Sequence, residues 1–157
     1  MTNNSYKTDI WEEAINFVSM IVRDHSLLTD DEFEQQFEKF TFKPGLFSHE
    51  AHLRLAYIHV QKYGLARAEQ NMVEQIKGYA EYYGANNKFN KTVTIASVKA
   101  MHHFMEKSTS DSFQGLMKEY PRLLTNFKDI LSQHYSFNVF GDSRAKKEFI
   151  LPDLLPF

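Results

Sequence analysis

Two imidazoles three residues apart are the first feature of this chain that could do chemistry. His49 and His52 lie in Phe47-Ser48-His49-Glu50-Ala51-His52-Leu53-Arg54-Leu55-Ala56-Tyr57. On a helix, residues at that spacing are neighbours and can converge on one object. His59 falls two turns further along the same face. Two imidazoles from one helix make half of a zinc or iron site, which needs ligands from elsewhere. The known metal patterns do not close. His49-Glu50-Ala51-His52 is one residue short of His-Glu-x-x-His. The Glu-x-x-His of carboxylate-bridged dimetal bundles does not occur in the chain.

A second chemistry needs no metal. At the first turn of a helix the macrodipole disfavours an imidazolium, so His49 is expected to be a neutral ring. Backbone N–H groups at that end, with Arg54 or Lys43, would hold a carboxylate or phosphate. Thr92 and Thr94, with Asn90, begin a later helix and would bring hydroxyls to the same place. The expected site is therefore His49 as acceptor or base, His52 as its partner or a ligand, Arg54 as anion contact, and Thr92 and Thr94 as orienting groups. Its ligand would be a small polar or anionic molecule. The bland alternative is a packed core with buried histidines and Ser48 as a helix cap.

Other polar residues carry weaker signals. His102 shares an apolar face and has Glu106 at i+4, where a carboxylate can orient the ring. His25 and His134 sit at helix ends, where a cation suits the dipole. Tyr79, Tyr82, Tyr83 and Phe89 crowd one helix end and would line a cleft or pack between helices. Lys88, Lys91 and Lys99 form a basic patch too small to predict nucleic-acid binding. Neither a Gly-rich phosphate loop nor a Gly-x-Ser-x-Gly elbow is present.

The elements that must position these residues read as helices. Ile10, Ala14, Phe17 and Ile21 mark a first one over 7–24, after a polar start expected to be disordered over 1–6. Thr29-Asp30-Asp31-Glu32 is a capping box, with Phe33, Phe37 and Phe40 carrying the apolar face to about residue 40. Ser48 and Gly64 bracket a helix over 49–63 that is apolar around most of its circumference. Only Glu50, Arg54 and Gln61 form a polar strip, so this helix belongs at the centre of a bundle. Residues 65–83 are amphipathic through Leu65, Ala68, Met72, Ile76, Tyr79 and Tyr83, and 92–107 through Ile95, Val98, His102 and Met105. A short helix through Tyr120 follows. Then comes one from Pro121 whose stripe is Leu124, Phe127, Leu131 and His134, and a last turn over 143–149. The tail 150–157 holds two prolines and cannot be a helix interior, so it is expected to lie extended on the body.

The expected fold class is all-α: a compact single-domain helical bundle over 1–157, of about six or seven helices, with an extended C-terminal tail. Composition agrees. The 157 residues are 43% hydrophobic and 15% aromatic, with 14 Phe, which suits a tightly filled interior. The absence of cysteine removes disulfides, thiol catalysis and Cys-ligated metals. A net charge of -2 provides no global field for nucleic acid or an anionic membrane. No apolar run nears the roughly 18 residues that span a bilayer, and the polar start lacks the layout of an export signal. A cytoplasmic protein is expected, with no nucleic-acid or membrane partner. Homo-oligomerisation through an aromatic face or the tail is a competing expectation to ligand binding.

The 47–57 stretch resembles the Phe-x-His-x-x-His-x-Arg-x-Ala-(Trp/Tyr) segment of a group of small uncharacterised bacterial proteins of about this length. Lys88-Phe89-Asn90-Lys91-Thr92-Val93-Thr94 is similar to that group's Lys-Tyr-x-x-Thr-(Ile/Leu)-Thr. Tyr135-Ser136 and Phe149-Ile150-Leu151-Pro152-Asp153-Leu154 resemble its closing pattern. The likeness spans about residues 30–157. Many members carry His-Glu where this chain has Asn90-Lys91, which weakens a strict catalytic or metal assignment. The resemblance implies where a site lies (His49, His52, Arg54, Thr92, Thr94) and implies no activity and no cofactor.

Overall fold

The computed structural model describes residues 25–157. The helix expected over 7–24 and the start before it lie outside the described residues. Among those described the protein is all-helical, without strands. Its eight α-helices are α1 Asp30–Glu38, α2 His49–Tyr63, α3 Leu65–Tyr82, α4 Lys91–Lys107, α5 Phe113–Glu119, α6 Arg122–Thr125, α7 Phe127–Ser132 and α8 Ser143–Lys147.

Short polar side chains set where the helices begin. The Thr29 hydroxyl accepts from the Glu32 amide at 3.2 Å, and the Glu32 carboxylate accepts from the Thr29 amide at 2.8 Å, closing the capping box of α1. Ser48 caps α2 through the Ala51 amide, and Asn90 caps α4 through the Val93 amide. Each such cap contributes about 1 kcal/mol. Gly64, at φ 77°, ends α2 and begins α3 with no intervening linker. A side chain at that φ would be strained.

α2 is the middle of the bundle. Every residue from Leu53 to Val60 is buried, and the helix packs against α1, α3 and α4. α4 divides the interior in two. Its Val98 and Met101 join the larger core with α1, α2, α3 and α5. Ala96 and Ala100 join a smaller one made with Leu131, Tyr135, Val139 and Ala145. The two alanines are small enough to let α8 approach closely, and α8 packs on α4 there.

The segment from Pro121 departs from the expected single helix. It breaks at Asn126 (φ -133°, ψ 29°) into α6 and α7. The break rotates the apolar phase, so that Leu123 is fully buried and Leu124, expected inward, is 37% exposed. It also leaves the Leu123 carbonyl without the i+4 amide that a continuous helix would supply. That carbonyl is left to accept from a side chain of another helix.

The tail runs back over the body and is tied mainly by hydrogen bonds. The Thr92 hydroxyl donates to the Glu148 carbonyl at 2.7 Å and accepts from the Ile150 amide at 3.1 Å. Tyr135 donates to the Ile150 carbonyl, and the Ser136 amide to Asp153. Phe157 stacks on His134 with ring centres 4.0 Å apart. Leu151, Leu154 and Leu155 stay exposed at 73%, 57% and 52%.

Candidate functional site

A cavity of about 440 Å³ opens between α2, α3, the start of α4 and the α6–α7 break. That volume lies in the range of small-molecule sites. Leu53 and Ala56 of α2, Met72 and Ile76 of α3, and Phe127 and Phe140 make most of its wall apolar. His49, His52, Thr94 and Ser97 supply polar groups from α2 and α4, and the exposed Thr125, Asn126, Lys128 and Asp129 lie at the rim on the α6–α7 side.

His52 is half-buried, with its ring packed on Phe47 at 4.2 Å between centres. Among the described residues its ring makes no hydrogen bond. Burial, reinforced by the neighbouring His49, pushes its pKa down from 6.5 to about 4. At neutral pH it is therefore an uncharged ring that offers one N–H and one lone pair.

His49 is held differently. Its Nε2 lies 2.9 Å from the Leu123 carbonyl, the acceptor freed by the α6–α7 break. A carbonyl only accepts, so Nε2 carries a proton and donates it there. The ring also packs against Phe127, with centres 5.1 Å apart.

The hydroxyls of α4 bond backward into their own helix. Thr94 donates to the Asn90 carbonyl at 2.8 Å, and Ser97 to the Val93 carbonyl at 2.6 Å. Their protons are committed, and what each can still offer a ligand is oxygen lone pairs.

The structure thus gathers His49, His52 and Thr94 of the sequence-predicted residues and puts Arg54 and Thr92 elsewhere. Arg54 is 4% exposed and points to the other side of α2. Its guanidinium donates to the carbonyls of His25 and Leu28, the latter at 2.7 Å, and to Asp30 at 2.9 Å, and it lies over the Phe33 ring. The residue expected in an exposed polar strip is instead the fastening of the 25–30 segment onto α2. Thr92 is wholly buried and serves the tail, as described above. Asn90 caps α4 and donates to the Val139 carbonyl at 2.9 Å.

Ser97, Phe127, Lys128, Asp129 and Phe140 belong to the cavity and were not singled out for it in the sequence. Ser97 follows Thr94 at i+3, so the helical repeat places both on one face. No local signal identifies the others, because the α6–α7 break brings them in. Among the described residues no three His, Asp or Glu side chains converge as metal ligands, and no helix is long and apolar enough to cross a membrane. No family model, curated protein or solved structure matches this chain.

Proposed function

We propose that this protein binds a small organic molecule, apolar over most of its surface, in the cavity between α2, α3, α4 and the α6–α7 break. The observation that carries the reading is His52: a neutral imidazole, without a hydrogen bond among the described residues, on the wall of a space of about 440 Å³. A half-buried ring without a hydrogen-bond partner gains by acquiring one from a ligand. The neighbouring apolar side chains supply the burial that most binding sites depend on. An anion contact through Arg54 is not part of this reading, since its guanidinium is engaged with the 25–30 segment. A ring with a pKa near 4 is a weak base at neutral pH, so His52 serves as a hydrogen-bonding group rather than a proton acceptor in catalysis. A cytoplasmic binding protein is the corresponding biological role.

Native mass spectrometry of the purified chain, paired with melting shifts against small aromatic molecules, tests this directly. A retained mass or a ligand-dependent shift is expected for the wild type. Both should be absent from Ser97→Phe, which fills the cavity, while its helical circular dichroism is unchanged. A wild type with no retained mass and no shift would overturn the reading. The competing role, an interaction or oligomerisation module, draws on the exposed leucines of the tail. The same spectrum distinguishes it by showing multimers of the bare chain.

A further inference from the structure

The hydrogens of the cavity wall specify what a ligand must bring. Three polar side chains have already given theirs away. Thr94 and Ser97 donate to the carbonyls of Asn90 and Val93, and His49 donates through Nε2 to the carbonyl of Leu123. Toward the cavity the two hydroxyls keep only lone pairs. His52 adds one more lone pair and contributes the one N–H of this polar group. The more buried part of the wall, on α2 and α4, is therefore richer in acceptors than in donors, while the further donors, Asn126 and Lys128, belong to exposed residues of the α6–α7 side.

Charge narrows the choice further. Thr94, Ser97 and the His52 ring bring no charge to pair with a buried ion, and an ion stripped of water without a partner is costly to bury. At the rim, Lys128 and Asp129 have opposite signs and are both exposed, so they favour neither a cation nor an anion inside. A carboxylate or phosphate placed against α2 and α4 would bring several lone pairs to face the single N–H of His52. An ammonium would find lone pairs but no buried counter-charge.

We propose that the cavity takes an apolar molecule bearing an uncharged N–H or O–H donor, of the phenol, arylamine or primary-amide class. This assignment rests on the ligand-binding role proposed above and names the chemical class that role would serve. The donor hydrogen meets the lone pairs of Thr94 and Ser97, and the acceptor atom of the same head group takes the His52 N–H. The apolar body lies against Met72, Ile76 and Phe127.

The test is a matched series on the full chain at pH 7.5: toluene, phenol, aniline, benzamide, benzoate and benzylamine, followed by calorimetric titration and melting. Phenol, aniline and benzamide are expected to bind about tenfold tighter than toluene, as one added hydrogen bond allows. Benzoate and benzylamine are expected to bind more weakly than toluene. Ser97→Ala and Thr94→Val should each shrink the advantage of phenol over toluene several-fold. Tightest binding by benzoate or benzylamine, or no preference of phenol over toluene, overturns the donor assignment and leaves ligand binding standing. No binding by any of the six overturns the ligand-binding role and the assignment with it.

Discussion

His52 and His59 sit two turns apart on the same face of α2 and end in opposite surroundings. His52 borders the cavity and has no hydrogen bond among the described residues. His59 is completely buried, accepts at Nδ1 from Asn71 at 3.3 Å, and packs against the Tyr63 ring. Around it the region is closed and crosslinked. Glu34, 8% exposed, accepts hydrogen bonds from Lys62 at 2.5 Å and from Tyr63. Arg54 ties down the 25–30 segment one turn back. The difference comes from the facing helix: α3 turns Asn71 toward His59, but Met72 and Ile76 toward the cavity that His52 lines. The closed region holds the fold together, whereas the open one leaves its polar groups available.

Breaking the closed region should do the most damage. Arg54→Ala is expected to lower stability by about 3 kcal/mol, because the carbonyls of His25 and Leu28 lose a buried donor and Asp30 its cation. Urea unfolding measures this, and a loss below 1 kcal/mol would mean that the segment is held by other contacts. His59→Ala should cost roughly 2 kcal/mol through the hole it leaves and the unpaired Asn71 amide.

Acid sharpens the comparison. Burial lowers the pKa of His59, with Glu34 pulling it back, and lowers that of His52 to about 4. A folded-state histidine pKa below its unfolded value means that the unfolded chain binds the extra proton. The stability these rings contribute is thus complete above about 6.5 and is lost as pH falls below it, for His52 down to about 4. For His52 the slope is at most about 1.4 kcal/mol per pH unit. Melting of the wild type should fall over this window, and His52→Gln should flatten the fall. The same slope in both proteins would remove His52 as its source. Glu34 acts at lower pH. Burial raises its pKa, but hydrogen bonds from Lys62 and Tyr63 leave it below 4.5, so its contribution is lost in stronger acid.

The smallest effect is expected in the open region. His52→Ala breaks no hydrogen bond within the described residues, and its stability cost at pH 7 should stay under about 1 kcal/mol. Phenol binding should nevertheless weaken several-fold. A cost as large as that of His59→Ala would show that His52, too, is structural.

Much of the fold was legible in the chain because the devices that build it are local. The Thr29–Glu32 box, Ser48, Gly64 and the nearly all-round apolar character of 49–63 act over one turn and appear where expected. The site was legible only in part. The i, i+3 spacing of His49 and His52 placed both rings at one cavity, and Thr94 arrived from the start of α4. Arg54 was misleading because an arginine among apolar residues reads the same whether it meets a ligand or is buried against carbonyls of a segment twenty-four or more residues away. Thr92 and Thr94 could not be separated either, although the structure gives one to the tail and the other to the cavity.

Helical class, the central place of 49–63 and the proximity of the two imidazoles were set by the sequence itself, since periodicity and capping operate among neighbours in the chain. The α6–α7 break, the Leu123 carbonyl it frees for His49, and the choice of partners for Arg54, Thr92 and His59 were decided only in three dimensions. Each depends on which distant backbone group arrives unpaired beside a given side chain, and no local pattern encodes that.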